Sequence, residues 1–137
     1  MPEYVVQRLT EALNWRGKAL KGSKVLVLGL AYKPNIDDTR ESPAFVLMDL
    51  VSSRGGSVSY YDPYVPIVRP TREHARWTGT TCVDWTEAEI RSYDAAIIST
   101  AHSAVNYGEL ASWADCIVDT RNAVAAVSTQ SDQVWKA

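Results

Sequence analysis

Apolar positions in the first twenty residues recur every three or four places. Val6, Leu9 and Leu13 carry the rhythm, with Val5 and Ala12 beside them. That spacing belongs to a helix with one buried stripe and predicts a helix over 3–20. Pro2 suits its start and Gly22 its end. The pattern then changes. Residues 24–30, KVLVLGL, form a near-continuous apolar run, as expected of a parallel strand covered on both faces. Ser42 and Pro43 open a second helix as N-cap and first-turn residue. Its face carries Ala44, Leu47, Met48 and Val51, and Gly55 and Gly56 stop it. SVSYY (57–61) alternates and reads as a less buried strand, while 62–79, with three prolines and many charges, reads as a long loop.

Beyond the loop, TTCV (80–83) predicts a short edge strand and 86–91 a short helix. DAAIIST (94–100) predicts a second central strand, 106–113 a helix and CIVDT (116–120) a fifth strand. The tail from Asn122 turns polar in STQSDQVWKA and is expected to fray. Strands alternating with helices predict an α/β, three-layer Rossmann-like domain. Its sheet would have five parallel strands in the order 3-2-1-4-5, preceded by an N-terminal helix. The first helix reads as a segment arriving from elsewhere, so the organisation expected is a linker helix over 1–21 and a domain over 22–137.

Such sheets hold ligands beyond the carboxyl ends of their strands, at the switch point between strands 1 and 4. The residues there are Tyr32, Lys33, Asp62, Asp84, Thr100, His102, Asp119, Arg121 and Asn122, with Arg40 at the far end of the first loop.

Composition narrows the function classes. The chain has 137 residues, enough for one domain, with a formal net charge of −2. That charge gives no general attraction to nucleic acid or to an acidic membrane. No apolar run approaches the roughly 20 residues of a membrane span. Two cysteines make no disulfide framework, and two distant histidines with two distant cysteines make no metal spacing. Cys82 and Cys116 read as buried small hydrophobes, without a basic neighbour to make a reactive thiolate. The five tryptophans are scattered and read as packing residues.

The chemistry concentrates in LGLAYKPNIDDTRES (28–42). It opens like a dinucleotide turn, yet the later glycines of G-x-G-x-x-G are missing and Pro34 removes a backbone donor. A ligand here is therefore expected to meet side chains. Lys33, Arg40 and Arg121 are expected to converge on one crevice and suit a pyrophosphate. Tyr32 offers a face for a base or sugar. His102 is expected at the crevice mouth, and His74 in solvent. The bland alternative pairs Arg40 with Asp38 and lets Arg121 cap a strand end. From spacing alone the two readings weigh equally.

These stretches carry a resemblance. KGSKVLVLGLAYKPNIDDTRESPA, YYDPYVP and IVDTRNA are similar to the C-terminal domain of the UDP-glucose/GDP-mannose dehydrogenase family. MPEYVVQRLTEALN is similar to the end of the long central helix leading into that domain. The match is clearest over 1–66 and 94–123. MPEYVV with TREHA most resembles the UDP-N-acetylglucosamine 6-dehydrogenase branch.

The resemblance implies a role for each matching residue. Tyr32 and Lys33 match the family's aromatic–Lys pair on the UDP-sugar, Arg121 its D-x-R substrate contact, and Arg40 its arginine toward NAD. It implies oxidation of the sugar's C6 alcohol to a carboxylate with NAD. NAD would be held mainly by an N-terminal domain, and chemistry would pass through a cysteine outside this sequence. The chain is thus expected to be an inactive C-terminal portion, with no catalytic residue of its own, of a cytoplasmic homo-oligomer that makes polysaccharide precursors. A stand-alone Rossmann-like regulatory module binding a nucleotide remains the alternative. UDP-glucose or UDP-N-acetylmannosamine remain alternative substrates.

Overall fold

The computed structural model describes all 137 residues. In chain order the elements are α1 (Pro2–Trp15), β1 (Lys24–Leu28), α2 (Ala44–Ser53), β2 (Ser57–Tyr61), a 3₁₀ turn (Ala75–Trp77), α3 (Glu87–Arg91), β3 (Ala95–Ile98), α4 (Tyr107–Trp113), β4 (Ile117–Asp119) and β5 (Val134–Lys136). The five strands make one parallel sheet in the order β2-β1-β3-β4-β5.

The near-continuous apolar strands are what two covered faces require. Along β1, Val25 and Val27 point to one side, and Leu26 and Leu28 to the other. The first face meets α1 and α2 through Val6, Leu9, Leu13, Leu47 and Val51. The second meets α3 and α4 through Ile90 and Leu110. A third cluster, with Phe45, Met48, Tyr60, Val65, Val68 and Trp77, folds the 62–79 segment down onto α2. That segment is packed rather than loose. Trp77 donates to Asp49 at 2.7 Å.

Three expectations need correction. The first helix ends at Trp15, where Gly17 (φ 73°) closes it. Gly17 N–H bonds to Asn14 O and Lys18 N–H to Leu13 O, the paired bonds of a Schellman turn. Residues 80–83 do not form a sheet strand. Cys82 N–H goes back to Pro66 O and Thr81 bridges Ile67, so only Val83 N–H reaches β2, at Tyr60 O. The place of a fifth strand is taken at the opposite edge by β5, from the tail expected to fray. Val134 packs on the α3–α4 side and Trp135 on the α1 side, so three residues satisfy both faces. The order 3-2-1-4-5 therefore holds for the run 2-1-4-5, with the third strand missing from one edge and a new one added at the other. The first helix, which read as arriving from elsewhere, buries its stripe on this sheet.

Gly29 turns the chain out of β1 at φ 88°. A Cβ there would overlap the Thr100 carbonyl and lie 2.7 Å from Thr100 Cβ. The strand exits of β1 and β3 thus touch backbone to side chain. Gly29→Ala is expected to destabilise the domain by about 2–4 kcal/mol, from strained φ plus a clash with backbone. Gly17→Ala, with nothing within 4 Å of the new methyl, should cost only about 1–2 kcal/mol. Urea unfolding of the two variants measures the difference, and equal losses would deny the close approach.

Candidate functional site

The connection from β1 runs through α2 to β2 on one side, and the chain then crosses back to β3 on the other side of β1. This reversal splays the loops after β1 and β3 and opens a crevice between them, as strand-order reversals do. Its volume is about 440 Å³, and it is lined by Tyr32, Lys33, Pro34, Thr100, Ala101 and Arg121. That is within the range of small-molecule sites.

The Tyr32–Lys33 arm is pinned on both sides. Asp62, just past β2, is 1% exposed. Its Oδ2 accepts from Leu30 N–H at 2.8 Å and Ala31 N–H at 3.0 Å, and its Oδ1 from Tyr64 N–H at 2.8 Å. His102 Nε2 lies 2.8 Å from the same Oδ2. The other ring nitrogen, Nδ1, accepts from Asn35 N–H at 2.8 Å. An acceptor Nδ1 carries no proton, so Nε2–H is the donor to Asp62. Asn35, at φ 66°, is also stapled to Ser103. It donates from Nδ2 to Oγ at 3.1 Å and accepts Ser103 N–H at 2.8 Å. Thr100 Oγ1 donates to Ala31 O at 2.6 Å, and Tyr32 N–H to Asp38 O at 2.7 Å.

The Arg121 arm repeats the device. Asp119 at the end of β4 is buried and accepts from Arg121 N–H at 3.0 Å, Ala123 N–H at 3.1 Å and Val124 N–H at 3.1 Å. Arg121 then donates its Nε to Ser99 O at 2.9 Å. The rest of the guanidinium makes no further hydrogen bond, and Arg121 lines both the crevice and a smaller cavity beside Pro43 and Leu47. Neither Lys33 nor Arg121 is paired with a carboxylate. Lys33 Nζ lies 5.5 Å from the Tyr32 ring centre. Two unopposed cations and an aromatic face therefore share one opening.

Of the three cations expected to converge, two do. Arg40 lies outside the crevice because the loop doubles back where Tyr32 N–H meets Asp38 O. Its side chain is 84% exposed and holds Asp38 through Nε at 3.0 Å and Nη2 at 2.7 Å. The bland pairing of Arg40 with Asp38 is thus present, and Asp37 pairs with Arg69 at 3.0 Å. Arg121 combines both readings, touching a strand end and lining the crevice. His102 is not at the mouth. It is 0% exposed and acts behind the loop. His74 is not solvated either, stacking on Phe45 at 4.6 Å. Asp84 does not line the crevice, whereas Thr100 does. Burial pushes both thiols, Cys82 and Cys116, up and away from thiolate. No cluster of His, Cys, Asp or Glu has the arrangement of a metal site, and no helix is long and apolar enough to cross a membrane.

Sequence reasoning placed Asp62, His102 and Asp119 beyond the strand ends without their role as holders, and it missed Asn35 altogether. A signal existed for two of them. In YYDPY and IVDTRN an aspartate stands at the end of a strand and precedes a turn, where its carboxylate can take backbone N–H groups two residues on.

The Arg40 pair has a pH signature. The side-chain hydrogen bond from Arg40, helped by its backbone N–H, holds the Asp38 carboxyl down at about 2 from its ordinary 3.8. A depressed folded value means that the pair's contribution is full above the unfolded value and lost as pH falls toward 2. Carboxyl ¹³C NMR is expected to show Asp38 titrating near pH 2, and Arg40→Gln to return it toward 3.8. An unchanged midpoint in that variant would deny the pair in solution.

Comparison with known proteins places this geometry. Residues 26–126 match the model of the UDP-glucose/GDP-mannose dehydrogenase family, UDP binding domain. A UDP-glucose 6-dehydrogenase of Bacillus subtilis is 30% identical over 120 residues, 82% of this chain and 26% of that protein. A UDP-N-acetyl-D-mannosamine dehydrogenase of Pyrococcus horikoshii is 34% identical over 102 residues, 74% of this chain and 21% of that protein. The solved structure of a UDP-D-ManNAc dehydrogenase from Pyrococcus horikoshii superposes with a TM-score of 0.77 at 27% identity, covering 98% of this chain and 30% of that one. The chain spans about a quarter or less of the curated relatives it matches. It belongs to the UDP-glucose/GDP-mannose dehydrogenase family and corresponds to that family's UDP-binding domain.

Proposed function

We propose that this chain grips the UDP part of a UDP-sugar for an NAD-dependent 6-dehydrogenase that acts as a homo-oligomer in its full-length form. The observation that carries the reading is the joint lining of the switch-point crevice by Tyr32, Lys33 and Arg121, with both cations free of carboxylates. A diphosphate suits this pair. Arg121 has guanidinium donors left after its bond to Ser99, and Lys33 adds a mobile point charge. Tyr32, 44% exposed, supplies a face for the uridine or sugar. Pro34 offers no backbone N–H, in keeping with a grip made by side chains.

Bound NAD would supply the hydride acceptor for oxidation at the sugar's C6. Within this chain only Arg40 is proposed to reach it. Its exposed side chain keeps Nη1 free beside Asp38, which fits one outer contact and not a cofactor site. For the sugar, we propose a UDP-N-acetylhexosamine, with UDP-N-acetylglucosamine favoured by the MPEYVV and TREHA stretches alone. Thr71–Ala75 does not line the crevice, so this preference rests on resemblance and not on a sugar contact.

Because α1 buries its stripe on the domain's own sheet, the chain can be tested as it stands. Calorimetric titration with UDP is expected to show binding. Lys33→Ala and Arg121→Ala should each weaken it about tenfold or more, the worth of one lost charge-assisted hydrogen bond. The melting temperature of Lys33→Ala should stay within about 3 °C of the wild type, while Arg121→Ala should lose somewhat more with its bond to Ser99 O. Affinity unchanged in both variants would overturn the site.

A further inference from the structure

Resting on the proposal that the crevice grips UDP, we infer that Asp62 and His102 are positioning residues for that grip. Together they hold the Tyr32–Lys33 arm in its bound shape before ligand arrives. Both side chains are fully buried. Neither lines the crevice. Apolar residues of the same volume could match a buried ionisable pair as such, but here they would leave the buried Leu30 and Ala31 N–H groups without an acceptor. What they provide that apolar residues do not is a directed set of hydrogen bonds, and these end on the arm. Asp62 takes Leu30 and Ala31 N–H on the near side of Tyr32 and Lys33. His102 takes Asn35 N–H on the far side. The two residues are joined at 2.8 Å. The three residues between Ala31 and Asn35 are thus strung between two fixed points, one on the carboxylate and one on the imidazole.

The surroundings keep this link in one state. Tyr64 packs edge-on to the imidazole at 4.9 Å. Tyr107 OH donates to His102 O at 3.0 Å. Only the neutral Nε2–H tautomer donates to Asp62 and still accepts from Asn35. The other tautomer would set N–H against N–H at Asn35. Asn35 sits at positive φ, a conformation that asparagine tolerates but does not prefer, so the far end of the arm depends on being held. A preorganised arm lowers the ordering cost of binding.

Two substitutions separate positioning from simple stability. His102→Asn places an amide oxygen where Nδ1 stands, which keeps the acceptor for Asn35 and loses the reach to Asp62. His102→Gln places an amide nitrogen where Nε2 stands, which keeps Asp62 and loses Asn35. Both variants should lower the melting temperature. UDP affinity should stay within about threefold of wild type for His102→Asn and fall about tenfold or more for His102→Gln, corresponding to one lost hydrogen bond on the arm. Amide hydrogen exchange should show protection at Asn35 retained in the first variant and lost in the second.

Affinity losses that simply track the melting temperatures would overturn the inference, as would full affinity in His102→Gln. If wild type fails to bind UDP, the reading of the crevice falls by itself. The exchange contrast at Asn35 then decides the positioning claim, equal protection in both variants rejecting it. If neither variant folds, long-range ¹H–¹⁵N NMR of wild-type His102 decides. The Nε2–H form with an accepting Nδ1 supports the link, and an Nδ1–H form or an imidazolium overturns it.

Discussion

The site depends on carboxylates that have no water. A carboxylate buried at a strand end must find donors in the protein or it is too costly to keep charged. Asp62 finds three backbone N–H groups and one imidazole. Asp119 finds three backbone N–H groups and, more distantly, Lys136. Asp119 bends the chain that follows it and so carries Arg121 outward, whereas Asp62, after β2, takes donors from the loop after β1 and so fixes the arm that carries Tyr32 and Lys33. The sheet brings the two turns to one crevice, and the Gly29–Thr100 contact sets how close the β1 and β3 exits stand.

This arrangement explains how a chain with net charge −2 leaves two cations unopposed at the place proposed for a diphosphate. The negative charges that matter are spent inside, on backbone donors, or outside, on other cations. Asp62 and Asp119 face inward. Asp38 and Asp37 hold Arg40 and Arg69. Lys33 and Arg121 are left unopposed where the loops meet. The selectivity therefore comes from which carboxylates are already engaged, and the total charge says nothing about it.

Much of this was legible in the sequence, and the parts that were not share a cause. Central strands announced themselves because burial on two faces demands apolar runs, as in KVLVL and AAII. The switch point followed from topology, and with it Tyr32, Lys33 and Arg121. The edge strands were misread because three or four residues carry too little pattern. TTCV looks more strand-like than VWK, yet its backbone bonds are largely taken up by Pro66 and Val68. Arg40 was placed in the crevice because sequence distance does not show that the loop doubles back. His102 read as a ligand contact because nothing in a sequence tells whether a polar residue after a strand faces the opening or supports it from behind.

The two kinds of basic residue on this loop system differ in how firmly they are held, and that difference fits their proposed tasks. Lys33 stands between two buried anchor points, and Arg121 is fixed by its own N–H and Nε bonds. Such backbones suit a group that must meet a ligand held against this domain. Arg40 follows a turn whose next residue, Glu41, is held at φ 59°, and its only side-chain partner is a half-buried surface carboxylate. A surface pair of this kind is weak and readily exchanged. An arginine meant to reach a group carried by another domain gains from being released cheaply, since the new contact need only outcompete Asp38. The same loop therefore combines a fixed grip at its root with a loosely held arm at its tip.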